Sequence, residues 1–73
     1  MYNTFEEALQ QFKCQANTRV SDEEVKMEFS AILHNFGDNA QNVEELLTIL
    51  IRADGRHNLY RELSSLRNRR SRL

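Results

Sequence analysis

The chain contains no proline, no tryptophan, two glycines and a single cysteine. One cysteine excludes an internal disulfide. No apolar run approaches the roughly 18 residues that a membrane-spanning helix needs. Residues 1–10, MYNTFEEALQ, lack the basic end and apolar stretch of a signal peptide. A cytoplasmic protein with no membrane partner is therefore expected. No segment alternates apolar and polar residues as a strand would, and no internal repeat is evident. The two glycines, Gly37 and Gly55, do not form a phosphate-cradling loop and read instead as helix stops.

What is present fits one small soluble domain. Of 73 residues, 40% are apolar and 29% charged, too apolar a balance for a disordered chain. A chain this short buries roughly 60% of the surface its unfolded form exposes. Without disulfides or metal, such a core rarely supplies more than about 3–5 kcal/mol, so association is an expected source of further stability.

The net charge of −1 hides a division. Residues 1–50 carry nine acidic side chains against three basic ones, and residues 51–73 carry seven arginines against Asp54 and Glu62. The second set contains no lysine. Arginine's planar fork binds carboxylates and phosphates in pairs, and an asymmetry of this kind suggests an interaction surface.

The periodicity predicts an all-α bundle of four short helices, over about 4–16, 21–36, 43–54 and 57–68. Thr4 with Glu7, and Ser21 with Glu24, have the spacing of capping boxes. Val20 and Val25 suit a hydrophobic staple around the second. Asp22, Glu23 and Glu24 fill a first turn, where the helix dipole favours negative charge, and Asp22 is four residues before Lys26, a favourable ion-pair spacing. Phe5, Ala8, Leu9, Phe12 and Ala16 share one face of the first helix. Val25, Phe29, Ile32, Leu33 and Phe36 make a narrow stripe on the second. Asn42 with Glu45 is read as the cap of the third, and Asn58 as that of the fourth. Leu59, Leu63 and Leu66 align on the last helix, with Tyr60 at the edge. Residues 1–68 read as one domain and residues 69–73 as a basic tail. The third helix stands apart: Val43, Leu46, Leu47, Ile49, Leu50, Ile51 and Ala53 cover an arc of about 200 degrees, twice the usual stripe. Either several neighbours bury this helix or part of it faces another chain.

The residues that carry chemistry point away from catalysis. Cys14, His34 and His57 are the only soft or imidazole ligands, and no two have metal-binding spacing, so no metal and no cofactor are expected. The stretch from Asp38 to Asn42 glances at a calcium loop, but Ala40 stands where a ligand belongs, and a capping turn is the better reading. Cys14 lies opposite the apolar face of its helix, as an exposed ordinary thiol or a contact residue. His34 borders its apolar stripe and His57 reads as a helix-start residue. With no nucleophile beside a base, no catalytic residue is assigned.

Contact surfaces are the remaining candidates. Ile49, Ile51 and Ala53, with Arg52 and Tyr60, are read as a partner or dimer interface. Arg56, Arg61, Arg67, Arg69, Arg70 and Arg72 are read as a basic surface. That surface suits an acidic protein, the acidic half of a second copy, or the phosphates of a nucleic acid. Against nucleic acid stand the acidic body and the lack of aromatics interleaved with the bases. The arginines also complement a helix C-terminus and could dock on the acidic second helix.

Two resemblances add to this. Val43-Glu44-Glu45-Leu46-Leu47 followed by Gly55-Arg56-His57-Asn58-Leu59-Tyr60-Arg61-Glu62-Leu63 resembles the last two helices of death-fold domains and implies a helical hairpin. In size, arginine-rich C-terminal region and MYNTFEEALQ opening, the chain resembles small accessory proteins encoded in the early region of lambdoid temperate bacteriophages. That resemblance implies a non-enzymatic modulator of host or phage regulation that binds a protein in the host cytoplasm. The expectation is thus a homodimeric helical protein acting as a small regulator or adaptor through a protein partner, with nucleic-acid binding through the arginines as the alternative.

Overall fold

A computed structural model describes residues 3–71, with side chains to Ser65. Four helices follow in order: α1 (Phe5–Ala16), α2 (Asp22–Phe36), α3 (Ala40–Arg52) and α4 (His57–Ser71). No strand occurs among the described residues. The radius of gyration is 11.4 Å, against about 11 Å for a compact chain of this length.

The first two helices begin where local chemistry says they should. Thr4 is extended and its side chain accepts from the Glu7 N–H at 3.2 Å. Ser21 does the same for the Glu24 N–H at 3.3 Å. Each hydroxyl satisfies an N–H that has no partner within the helix. Glu7 differs from the full box: its carboxylate accepts from the Asn3 N–H, at 2.9 Å, one residue ahead of the cap.

Two aromatic pairs set the register of α1 against α2. Phe5 meets Phe36 edge-on with ring centroids 5.8 Å apart, and Phe12 meets Phe29 at 6.1 Å. Seven residues forward along α1 correspond to seven residues back along α2, which makes the pair an antiparallel hairpin. Ala8 and Ala16 are buried on the same α1 face as Phe12. Their small side chains let the helix sit close to its neighbours.

Gly37 ends α2. Its N–H donates to the Leu33 carbonyl at 2.9 Å, and its φ of +113° is one that side-chain-bearing residues avoid. Its ψ of 131° is extended, so this is a positive-φ stop and not a left-handed helical turn. The chain then enters α3 earlier than expected. Asn39, not Asn42, is the cap: its Oδ1 accepts from the Asn42 N–H at 2.9 Å. Asn42 instead turns its amide back to the carbonyls of Phe36 and Gly37, at 3.2 and 2.9 Å. The two asparagines thereby share the work of one tight corner.

Helix α3 is the centre of the bundle, packing against α1, α2 and α4. Val43, Leu46, Leu47 and Leu50 are buried. The helix stops at Arg52, two residues short of the expected end. Ala53 is extended and only 3% exposed, so its burial in the core takes it out of the helical path. At α4, Arg56 immediately precedes the helix and its carbonyl accepts from the Tyr60 N–H at 2.9 Å. Asn58 therefore lies inside the first turn and does not cap from outside it. Leu59 and Leu63 are buried as expected, and Leu66 lies outside the described side chains.

Candidate interaction surface

The expected interface on α3 divides under the observed packing. Ala53 is buried and belongs to the core, which corrects its assignment to a contact surface. Ile49 and Tyr60 are half-buried and pack against that core. Arg52 is exposed, and Ile51 is exposed by 45%. Two residues apart on a helix, Ile49 and Ile51 point about 200 degrees from each other. They are the two edges of the wide apolar arc, and its middle is filled by the bundle. One flat patch cannot contain both. The sequence recorded the width of the arc, but the number of neighbours sharing it is a tertiary property.

Arg56 is the largest correction. Expected on an exposed basic surface, it is 6% exposed. Its Nε donates to the Ala16 carbonyl at 3.0 Å, and its Nη2 to the carbonyls of Thr18 at 3.0 Å and Val20 at 2.8 Å. Its Nη1 bonds the Asp22 carboxylate. Four of the five guanidinium donors are thus engaged, on the last residue of α1, the connection to α2 and the first residue of α2. A signal for this existed. A helix N-terminus repels cations, so an arginine at the boundary of α4 calls for acceptors from elsewhere in the fold.

This pairing also redirects the charges of α2. Asp22 joins Arg56, and Lys26 reaches across to Glu62 on α4. The expected pair between Asp22 and Lys26 is therefore replaced by one contact to Arg56, just ahead of α4, and one to Glu62 on α4. Glu62 raises the Lys26 pKa above the ordinary lysine value, first by accepting a hydrogen bond and then by its charge. Arg61 is exposed. Arg67, Arg69, Arg70 and Arg72 lie outside the described side chains, as does any docking of that segment on α2.

The other chemistry-bearing residues stand apart from one another. Cys14 is an exposed free thiol, and His34 and His57 are exposed. Among the described residues, no three His, Cys, Asp or Glu side chains converge to hold a metal ion. No described helix is long and apolar enough to cross a membrane.

A shallow depression of about 220 Å³ lies between α1 and α3. Lys13 and Asn17 line it from α1, and Thr48, Ile49 and Arg52 from α3. It lies at the end of the bundle where Arg56 gathers the connections, opposite the Phe5–Phe36 contact. Comparison of the chain with known protein families, curated proteins and solved structures finds no match.

Proposed function

We propose that this protein is a small non-enzymatic regulator or adaptor that works by binding another protein. One observation carries the reading: α3, the helix around which the core is built, leaves an isoleucine incompletely covered at each of its edges, with Ile51 exposed by 45%. Exposing part of an isoleucine forfeits burial energy at about 25 cal/mol per Å². A partner that covers either edge recovers it. The exposed Arg52 on α3 and the resemblance to small phage accessory proteins agree with a regulatory contact. A second copy of the chain is a partner within the same reading.

The test is capture on the tagged chain from cells that carry its gene, followed by binding of the purified partner. A protein retained after nuclease treatment is expected. Its loss is expected with Ile51→Asp when the partner covers that edge, or with charge reversal at Arg52 when it covers the Ile49 edge; both positions are exposed. Sedimentation of the purified chain reads association with a second copy. Retention that vanishes with nuclease, or no protein retained at all with a monomeric chain, would overturn the reading.

A further inference from the structure

The two edges of α3 are not chemically alike. Ile49 opens onto the depression lined by Lys13, Asn17, Thr48 and Arg52. Elsewhere, Lys26 is taken up by Glu62 and Arg56 by Asp22. Lys13 and Arg52 pair with no described carboxylate, and no carboxylate lines the depression. Thr48 donates its hydroxyl to the Glu44 carbonyl at 2.8 Å, and Asn17 its amide to the Lys13 carbonyl at 2.8 Å. Asn17 keeps its second amide N–H, and the charged donors left for a ligand are the two cations. Each cation sits in the last turn of its helix, where the dipole favours it. The dipole does not account for the two sharing one recess with an aliphatic side chain.

We propose that this recess docks an acidic segment of a partner protein, with a carboxylate against Lys13 and Arg52 and an aliphatic side chain against Ile49. The proposal rests on the protein-binding reading above and names its edge and its partner's chemistry. Size and lining support the choice. About 220 Å³ is smaller than the roughly 300–1,000 Å³ of pockets that enclose small molecules, and holds a side chain or two of a longer segment. Arginine's fork matches a carboxylate geometrically. The recess has no aromatic ring on which a base could stack, and two cations are few for a phosphate track.

The test titrates the isotope-labelled full chain with three probes: a short glutamate–leucine peptide, its glutamine–leucine counterpart, and a single-stranded oligonucleotide. With the glutamate peptide, amide shifts centred on Lys13, Asn17, Thr48, Ile49 and Arg52 are expected, with affinity that falls as salt rises. Combined Lys13→Glu and Arg52→Glu should weaken binding about tenfold or more. Both side chains are exposed, and the spectrum of the variant reports its fold. The neutral pair Lys13→Gln and Arg52→Gln repeats the measurement with less perturbation. Shifts centred elsewhere, an equal response to the glutamine peptide, or tighter oligonucleotide binding at the same residues would overturn the proposal. If the charge-reversed protein still captures the partner that Ile51→Asp loses, the recess is wrong and the protein-binding function stands.

Discussion

Arg56 donates from Nε to the carbonyl of Ala16 at 3.0 Å, joining the residue ahead of α4 to the last residue of α1. With its bonds to Thr18, Val20 and Asp22, it ties the α3–α4 corner to the α1–α2 connection. Those carbonyls sit at and beyond a helix C-terminus, where the backbone has acceptors to spare and partial negative charge. The same contact holds together the end of the bundle that carries the recess.

Arg56→Ala is expected to cost about 3–5 kcal/mol, because it leaves carbonyls and a carboxylate without their shared donor. For a chain of 73 residues with total stability of about 4–11 kcal/mol, that is a large share. Asp22→Asn should cost much less, about 1 kcal/mol, since the Asp22 side chain is 51% exposed and water screens the pair. Arg56→Lys should resemble the alanine variant, because one ammonium cannot span the same acceptors. Urea unfolding of the three variants gives the order. An Asp22 variant weaker than the Arg56 variants would show that the ion pair, and not the carbonyl contacts, dominates.

Gly37→Ala should destabilise more than Gly55→Ala. Both glycines have positive φ, +113° and +77°. A Cβ on Gly37 would also meet Asn39 Nδ2 at 3.2 Å, while one on Gly55 meets nothing within 4 Å. Asn39 cannot swing away freely, because its Oδ1 caps α3. We expect a loss of about 1–3 kcal/mol at Gly37 and about 1 kcal/mol at Gly55. Thermal or urea midpoints check this, and equal losses would mean that the cap gives way without cost.

The Lys26–Glu62 pair sets a stability change at high pH. Its lysine pKa is raised in the folded chain, first by the hydrogen bond and then by the charge of Glu62. The folded state therefore holds the proton more tightly than the unfolded state. The contribution is fully present below the ordinary lysine value of 10.5 and is lost as pH climbs through the raised value. Glu62→Gln should remove this loss and leave the stability profile flatter above that pH. An unchanged alkaline slope in the variant would assign the loss to other groups.

Local chemistry explains which parts of the fold were legible. The caps at Thr4 and Ser21 act over three residues, and the apolar stripes of α1 and α2 repeat within one helix. Such signals survive in sequence because their partners are neighbours. The start of α3 failed for a related reason. Asn39 and Asn42 have the same capping chemistry, and the choice between them depends on which amide closes the end of α2.

The candidate surface was legible only in part. Arg52, Ile49 and Ile51 do reach the surface in varying degree, whereas Ala53 and Arg56 are buried. The chain alone determined that there would be four helices, that α3 would be apolar over a wide arc, and that arginine would collect late in the sequence. Only the tertiary structure decided how much of that arc is covered and that Arg56 faces inward. The reason is separation: its acceptors lie 34 to 40 residues earlier, so no local pattern encodes the meeting. Packing of α4 against α3 brings it about.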